Sequence, residues 1–268
     1  MGENKTPDTI SEIKNVSEIP ASFPEALSVF GVTYLQYWAK EALDIDGEVY
    51  VSRTPEGEIS GLFVYDTYEQ TGTIFTRSRE VFDRIFKLKP FVSLWSELQT
   101  DHPNYVYDVL TMDNLERADL QHRFKHNAVI ERNVAEIERF MTLTVHYDLN
   151  PKWVRVAVAN GDRCFAIKIG TEIAGIAWLS LVDGVGRVPD LYVKPQFRRT
   201  GMARDLFYAR LIYLQSMHAR SYFAEIAQDN ESALKHATEV GMKVSGQIFE
   251  YFNESTADAK SSSTKVTS

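Results

Sequence analysis

"VKPQFRRTGMARDLF", residues 193–207, runs from a β-type stretch that ends at Val193, across a cationic turn, into a helical pattern. Lys194, Arg198, Arg199 and Arg204 cluster around Gly201 at this junction. A helix start leaves its first backbone N–H groups without intrahelical partners and carries partial positive charge. Set after a strand, with a glycine that lets backbone approach closely, such a turn is an anion cradle. The spacing is Arg198-x-x-Gly201-x-Ala203. It is neither the Gly-Lys-Ser/Thr of a Walker loop nor the Gly-x-Gly-x-x-Gly of dinucleotide folds. A solvated basic turn is the plain alternative.

The rest of the chain makes this cluster unusual. Its 268 residues carry a formal net charge of −8, which argues against a general nucleic-acid or anionic-membrane binder. Apolar content of 44% allows a sizeable core. One cysteine, Cys164, excludes an internal disulfide and a Cys-cluster metal site. The six histidines show no metal-ligand spacing, so no metal is expected. No apolar run reaches membrane-spanning length and "MGENKTPDTISEIKN" has no signal-peptide core. The expectation is a soluble, cytoplasmic protein, monomer or homodimer.

Polar composition marks residues 1–18 and 253–268 as disordered tails. Between them the pattern divides near residue 120. In 19–118, "VTYLQYWAKEAL" and "REVFDRIFKL" have helical spacing. "GEVYVSRTPEGEISGLFVYDTY" is a hairpin, and "TGTIFTRS" and "NYVYDVLTM" are strands. "DNLERADLQHRFKH" suits a linker helix. In 125–252, "NAVIER" is a strand and "NVAEIERFMTLTVHY" a helix; "CFAIKIGTEIAGIAWLSLV" is a hairpin turning at Gly170-Thr171. "GRVPDLYV" is a further strand, and "SYFAEIAQ", the helix "ESALKHATEV" and "KVSGQIFEYF" complete the half. Strands broken by helices, with hairpins among them, indicate an α/β fold with a mixed sheet. The hairpins of the two halves echo each other, although hairpins are common enough for coincidence.

Pro189 has no N–H and belongs at a bulge or an unpaired edge. A strand leaving its neighbour there exposes backbone groups at Leu191, Tyr192 and Val193 to an extended ligand. With "LYVKPQFRRTGMA" followed in order by Asn230, Ala233 and Gly241-Met242, residues 125–252 resemble the GNAT superfamily of CoA-dependent N-acyltransferases. The first half, lacking such a loop, looks like a degenerate GNAT half, as in tandem GNAT proteins, with a weak likeness to glycine N-acyltransferases. The resemblance implies acetyl-CoA or another acyl-CoA as co-substrate and an amine acceptor. It implies pyrophosphate on the backbone N–H groups of Arg199, Thr200, Gly201, Met202, Ala203 and Arg204, with Arg198 beside them. It further implies pantetheine along Leu191–Val193 and a hydrogen bond to that arm from Asn230.

Acyl transfer to an amine needs a neutral amine, an oxyanion donor and a proton for the leaving thiolate. The N–H of Val193 would be the donor. Where many family members place a tyrosine, this sequence has Ala237. Either another group protonates the thiolate, or it leaves unassisted, or the domain binds CoA without catalysis. Glu225, on the strand facing the splay, is the first candidate for a base and Asp190 the second; a salt-bridged carboxylate is the plain alternative for each. His236 would project about 100° from position 237. Ser232 suits the helix's first turn, Tyr192 and Tyr213 suit packing, and Cys164 suits a buried thiol. The expected activity is direct acyl transfer, most simply acetyl, to a primary amine, since no strong nucleophile is present for a covalent intermediate. A catalytically inactive, regulatory CoA-binding domain and a pure interaction scaffold are the competing readings.

Overall fold

The computed structural model describes residues 8–19, 30–100, 103–115, 120–145 and 149–252. The chain divides into two compact units, one formed by residues up to Tyr107 with those from Gly246 onward, the other by Asp108–Ser245.

In the first unit, β1 (Thr9–Ile13), β2 (Glu48–Arg53), β3 (Ile59–Asp66) and β4 (Thr71–Thr76) form consecutive antiparallel pairs. Helix α1 (Gly31–Asp44) precedes β2. Helix α2 (Arg79–Phe86) carries the chain from β4 to β5 (Ser93–Ser96), which pairs parallel to β4. Alternation explains the core: Tyr50, Phe63, Tyr65 and Ile74 share one sheet face, and Val81, Phe82 and Ile85 of α2 pack against it. The sheet ends on the last strand of the chain, β13 (Lys243–Phe252), whose residues Phe249–Phe252 pair antiparallel with β5.

The second unit begins within β6 (Tyr105–Asp113) and continues through β7 (Ala128–Glu131), α3 (Val134–Phe140) and α4 (Trp153–Ala159). A hairpin follows, β8 (Arg163–Ile169) and β9 (Glu172–Val182), turning at Gly170 with φ of 61°. Then come β10 (Val185–Arg187), β11 (Leu191–Val193), α5 (Met202–Ser216), β12 (Ser221–Ala227) and α6 (Glu231–Glu239). The sheet runs β6-β12-β10-β9-β8-β7, with β11 alongside β9. One face carries α5 and α6, through Leu206, Leu211, Tyr222, Ala224 and Ala237. The other carries α3 and α4, through Ile137, Phe140, Val154, Ile176 and Trp178.

This is a mixed α/β architecture, and the echo between halves has a topological basis. In each, a hairpin leads to a strand, a helix and a parallel strand: β2-β3-β4-α2-β5 and β8-β9-β10-α5-β12. Several details differ from the sequence reading. Thr9–Ile13, assigned to a tail, pairs with β2 as β1, and Asn15 and Glu18 close a capping box behind it. Residues 1–7 and 253–268 of the expected tails lie outside the described residues. Of the linker expected as a helix, residues 120–126 are not helical, Leu115 is in a 3₁₀ turn, and residues 116–119 lie outside the described residues. Helix α3 is shorter than expected and passes into a π-helical turn, Met141–Val145.

Candidate active site

The site is built where β10 gives way to β11. Val188 N–H still donates to Phe223 O of β12, at 3.0 Å, but Pro189 has no N–H to continue the ladder. Beyond it β11 pairs with β9 and with no other strand. Trp178 N–H donates to Asp190 O at 3.0 Å and Lys194 N–H to Ala174 O at 2.9 Å. In an antiparallel ladder alternate residues face alternate sides, so Asp190, Tyr192 and Lys194 turn their backbone groups toward β9. Leu191 and Val193 turn theirs the other way, into the gap. The strand break expected at Pro189 is therefore present, and two residues of the three turn their backbone groups away from β9.

A buried cation sits at the vertex. Arg210, on α5, is 2% exposed, and its Nη1 donates to Pro189 O at 2.6 Å and Trp178 O at 2.9 Å. The guanidinium thus takes up the carbonyl of Pro189, at the break, and that of Trp178 on β9, the strand with which β11 stays paired. Burial pulls its pKa down to about 9, against the opposing attraction of Asp190 and Tyr222, so it is charged at neutral pH. Arg210 Nε and the Tyr222 hydroxyl are buried without a hydrogen-bond partner among the described residues. Nothing in the spacing of the sequence signals this arginine.

After Val193 the chain makes a 3₁₀ turn, Pro195–Phe197, and reaches Gly201, the N-cap of α5. Gly201 has φ of 99° and Arg199 of 64°, both left-handed. No side chain caps α5, so the N–H groups of Met202, Ala203 and Arg204 have no intrahelical acceptor. In the first unit the corresponding helix start is closed: Ser78 Oγ accepts from Val81 N–H, and β4 and β5 stay paired. The two helix starts thus differ in side-chain capping and in whether the flanking strands stay paired. The Arg198 side chain turns inward, its Nε donating to Val193 O at 3.2 Å, and its guanidinium lies over the Tyr192 ring. Thr200 Oγ1 donates to Phe197 O, and the Met202 side chain is in the core.

A segment that sequence reading left as a linker lies against this cradle. Asp205, in the first turn of α5 and 1% exposed, accepts from four donors on residues 122–126. His122 Nε2 lies 2.7 Å and His126 Nδ1 2.8 Å from its two oxygens. The backbone N–H groups of His126, at 2.9 Å, and Lys125, at 3.3 Å, donate as well. Burial alone pushes the Asp205 carboxyl up, but these hydrogen bonds outweigh it and hold the carboxyl below its ordinary range. The His122 ring stacks on Tyr208 at 4.3 Å, and the Arg204 guanidinium lies over the same tyrosine. The histidines read as defaults in the sequence are the missed residues; the only hint was their place in a charged run.

The remaining candidates are dispersed. Glu225 stands two residues past Phe223, on the sheet face opposite α5, with its Oε1 accepting from Arg187 Nε at 2.8 Å. Asp190 is exposed, and its carboxylate acts on Arg210 at a distance. Asn230 is the N-cap of α6, its Oδ1 accepting from Ala233 N–H at 3.2 Å, which leaves the amide NH2 as a donor. Ala237 is fully buried in the core, and His236, partly exposed, lies with Nδ1 2.7 Å from Ser232 O. Tyr192 packs on Phe140 and Tyr213 on Phe165. Cys164 is buried, which pushes its thiol far up. Among the described residues no group of side chains could hold a metal, and no helix is long and apolar enough to cross a membrane.

Comparison with curated proteins returned no match. A Drosophila protein has a similar structure, with a TM-score of 0.65 at 10% identity over 92% of this chain and 99% of its own. A GCN5-related N-acetyltransferase from Sphaerobacter thermophilus has a TM-score of 0.56 at 11% identity, covering 91% and 94% of the two chains. A tandem GNAT protein from the clavulanic acid biosynthesis pathway has 0.52 at 14%, covering 77% and 82%. At such identities these likenesses show the fold alone, and they do not show the likeness to glycine N-acyltransferases. The model of the acetyltransferase (GNAT) family matches residues 123–242, the stretch that contains the strand break, the start of α5 and all of the clasped segment but His122. Residues 123–242 thus match the acetyltransferase (GNAT) family, and the fold of the chain is similar to that of solved GNAT proteins.

Proposed function

We propose that the domain transfers an acyl group, most simply acetyl, from its CoA thioester directly to a primary amine. The observation that carries this reading is the gap at Pro189, into which Leu191 and Val193 direct their backbone groups, opening beside the uncapped start of α5. The pyrophosphate sits on the N–H groups of Arg199–Arg204, pantetheine pairs along β11, and the amide NH2 of Asn230 donates to the same arm. An outward N–H of β11 receives the carbonyl oxygen as it becomes an oxyanion. Glu225 Oε1 is taken by Arg187, so Oε2 accepts the amine proton, directly or through water. As the N–C bond forms the C–S bond breaks, and the electron pair leaves on the CoA sulfur, a tolerable leaving group without a phenolic acid.

The cavity of about 390 Å³ beside Lys194 is lined by Glu136, Arg139, Phe140 and Glu172 among others. Its carboxylates are matched, Glu172 with Lys194 and Glu136 with Lys168. This charge balance gives no electrostatic preference for a cationic acceptor. The second reading, a CoA-binding regulatory domain, is favoured by Ala237 in the core and by the ion pair on Glu225. Thiol release from acetyl-CoA across a panel of amines separates the two: CoA binding without turnover on any amine selects the regulatory reading.

A further inference from the structure

The clasp between Asp205 and residues 122–126 does more than fasten a linker. Its four hydrogen bonds bring the segment over the first turn of α5. A Cβ built on Gly201 would meet Lys125 Cδ at 3.5 Å, so the lysine stem lies along the glycine that opens the cradle. Among the described residues no carboxylate pairs with Lys125, Arg199 or Arg204. Asp205, in the same first turn, is engaged by the two histidines and two backbone amides. Among the described residues Lys125 therefore lies against a left-handed glycine without an acidic partner, on a protein whose net charge is −8. A cation held there without a carboxylate is stabilised by an anion on the same turn.

We infer that Lys125 is a pyrophosphate-binding residue of the acyl-CoA site, and that Asp205, through His122 and His126, is the positioning residue that holds it there. This rests on the acyl-CoA reading above and adds a wall to that site from outside the strand-turn-helix motif. The stem's approach to Gly201 assigns the ammonium to the pyrophosphate, because the loop glycine is where backbone N–H groups converge. A charge-assisted contact of this kind is worth on the order of tenfold in affinity.

The test is calorimetric titration of the full chain with CoA and with dephospho-CoA, which lacks the 3′-phosphate. Lys125→Ala, an exposed-site variant, is expected to weaken both ligands alike by about tenfold, and Lys125→Arg to restore most of the loss. Asp205→Asn is expected to weaken both as well, and to add little once Lys125 is alanine. His126→Ala reports the same coupling if Asp205→Asn fails to fold. Unchanged affinity in Lys125→Ala, while the wild type binds CoA, overturns the inference and leaves the acyl-CoA reading standing. Loss confined to CoA moves the ammonium to the 3′-phosphate and overturns the assignment. Additive losses overturn the role of Asp205. A wild type that binds neither ligand removes the acyl-CoA reading itself.

Discussion

Gly201 separates the demands of the backbone from those of the ligand, because its two informative substitutions share one cost and differ in the other. Its φ of 99° is strained for any residue with a Cβ, at about 1–2 kcal/mol. The new Cβ finds ordinary contact, 3.5 Å from Lys125 Cδ, so no steric penalty is added. Gly201→Ala and Gly201→Glu should therefore lower the melting temperature by similar amounts, about 2–8 °C for a domain of this size. Ligand binding should separate them. A glutamate carboxylate about 4 Å from a phosphate oxygen costs about 4 kcal/mol in a partly screened site. Its freedom to swing away and its attraction to Lys125 reduce this, which leaves a loss on the order of a hundredfold relative to Gly201→Ala. Scanning fluorimetry and calorimetric titration with CoA measure the two effects. A Gly201→Glu variant that melts with Gly201→Ala and binds CoA equally well would refute the placement of the pyrophosphate.

Other outcomes follow from neighbouring residues. Glu225→Gln should lower transfer by about 10²–10⁴-fold without changing CoA affinity, read from initial rates across pH; unchanged rates transfer the role to Asp190 or solvent. Ala237→Tyr should lower the melting temperature rather than raise turnover, because Ala237 is fully buried and overpacking costs about 1–3 kcal/mol. The folded pKa of Asp205 is depressed, so its contribution is complete above the unfolded value and fades as pH falls through the folded one. Wild-type protein should therefore lose stability below about pH 4 that Asp205→Asn does not lose, measured by denaturant unfolding at stepped pH.

The parts of the fold legible in the sequence were those with local causes. Gly201, Pro189 and the turn at Gly170 each announce themselves through backbone chemistry, and the hairpins through alternation. The partner of a strand is not local. That β13 lies beside β5 over Phe249–Phe252 depends on contacts about 150 residues apart, which no window of sequence contains. The same limit hid the site's supporting residues. Arg210 reads as one more cation on a helix, yet it is buried at the vertex of the strand break. His122 and His126 read as linker residues, yet they meet on a carboxylate some 80 positions away. Glu225 is a candidate by its place on β12, but its partner Arg187 comes only with the register of β10.

The gap at Pro189 and the turn at Gly201 are proposed to form one acyl-CoA site that passes its acyl group to an amine. Incubation of the full chain with acetyl-CoA and a panel of primary amines, with thiol release followed in time, tests it most directly. Saturable, amine-dependent thiol release is expected, with Gly201→Glu needing about a hundredfold more acetyl-CoA than Gly201→Ala for the same rate. Tight CoA binding with no release on any amine would contradict transfer, and an unchanged acetyl-CoA dependence in Gly201→Glu would contradict the site.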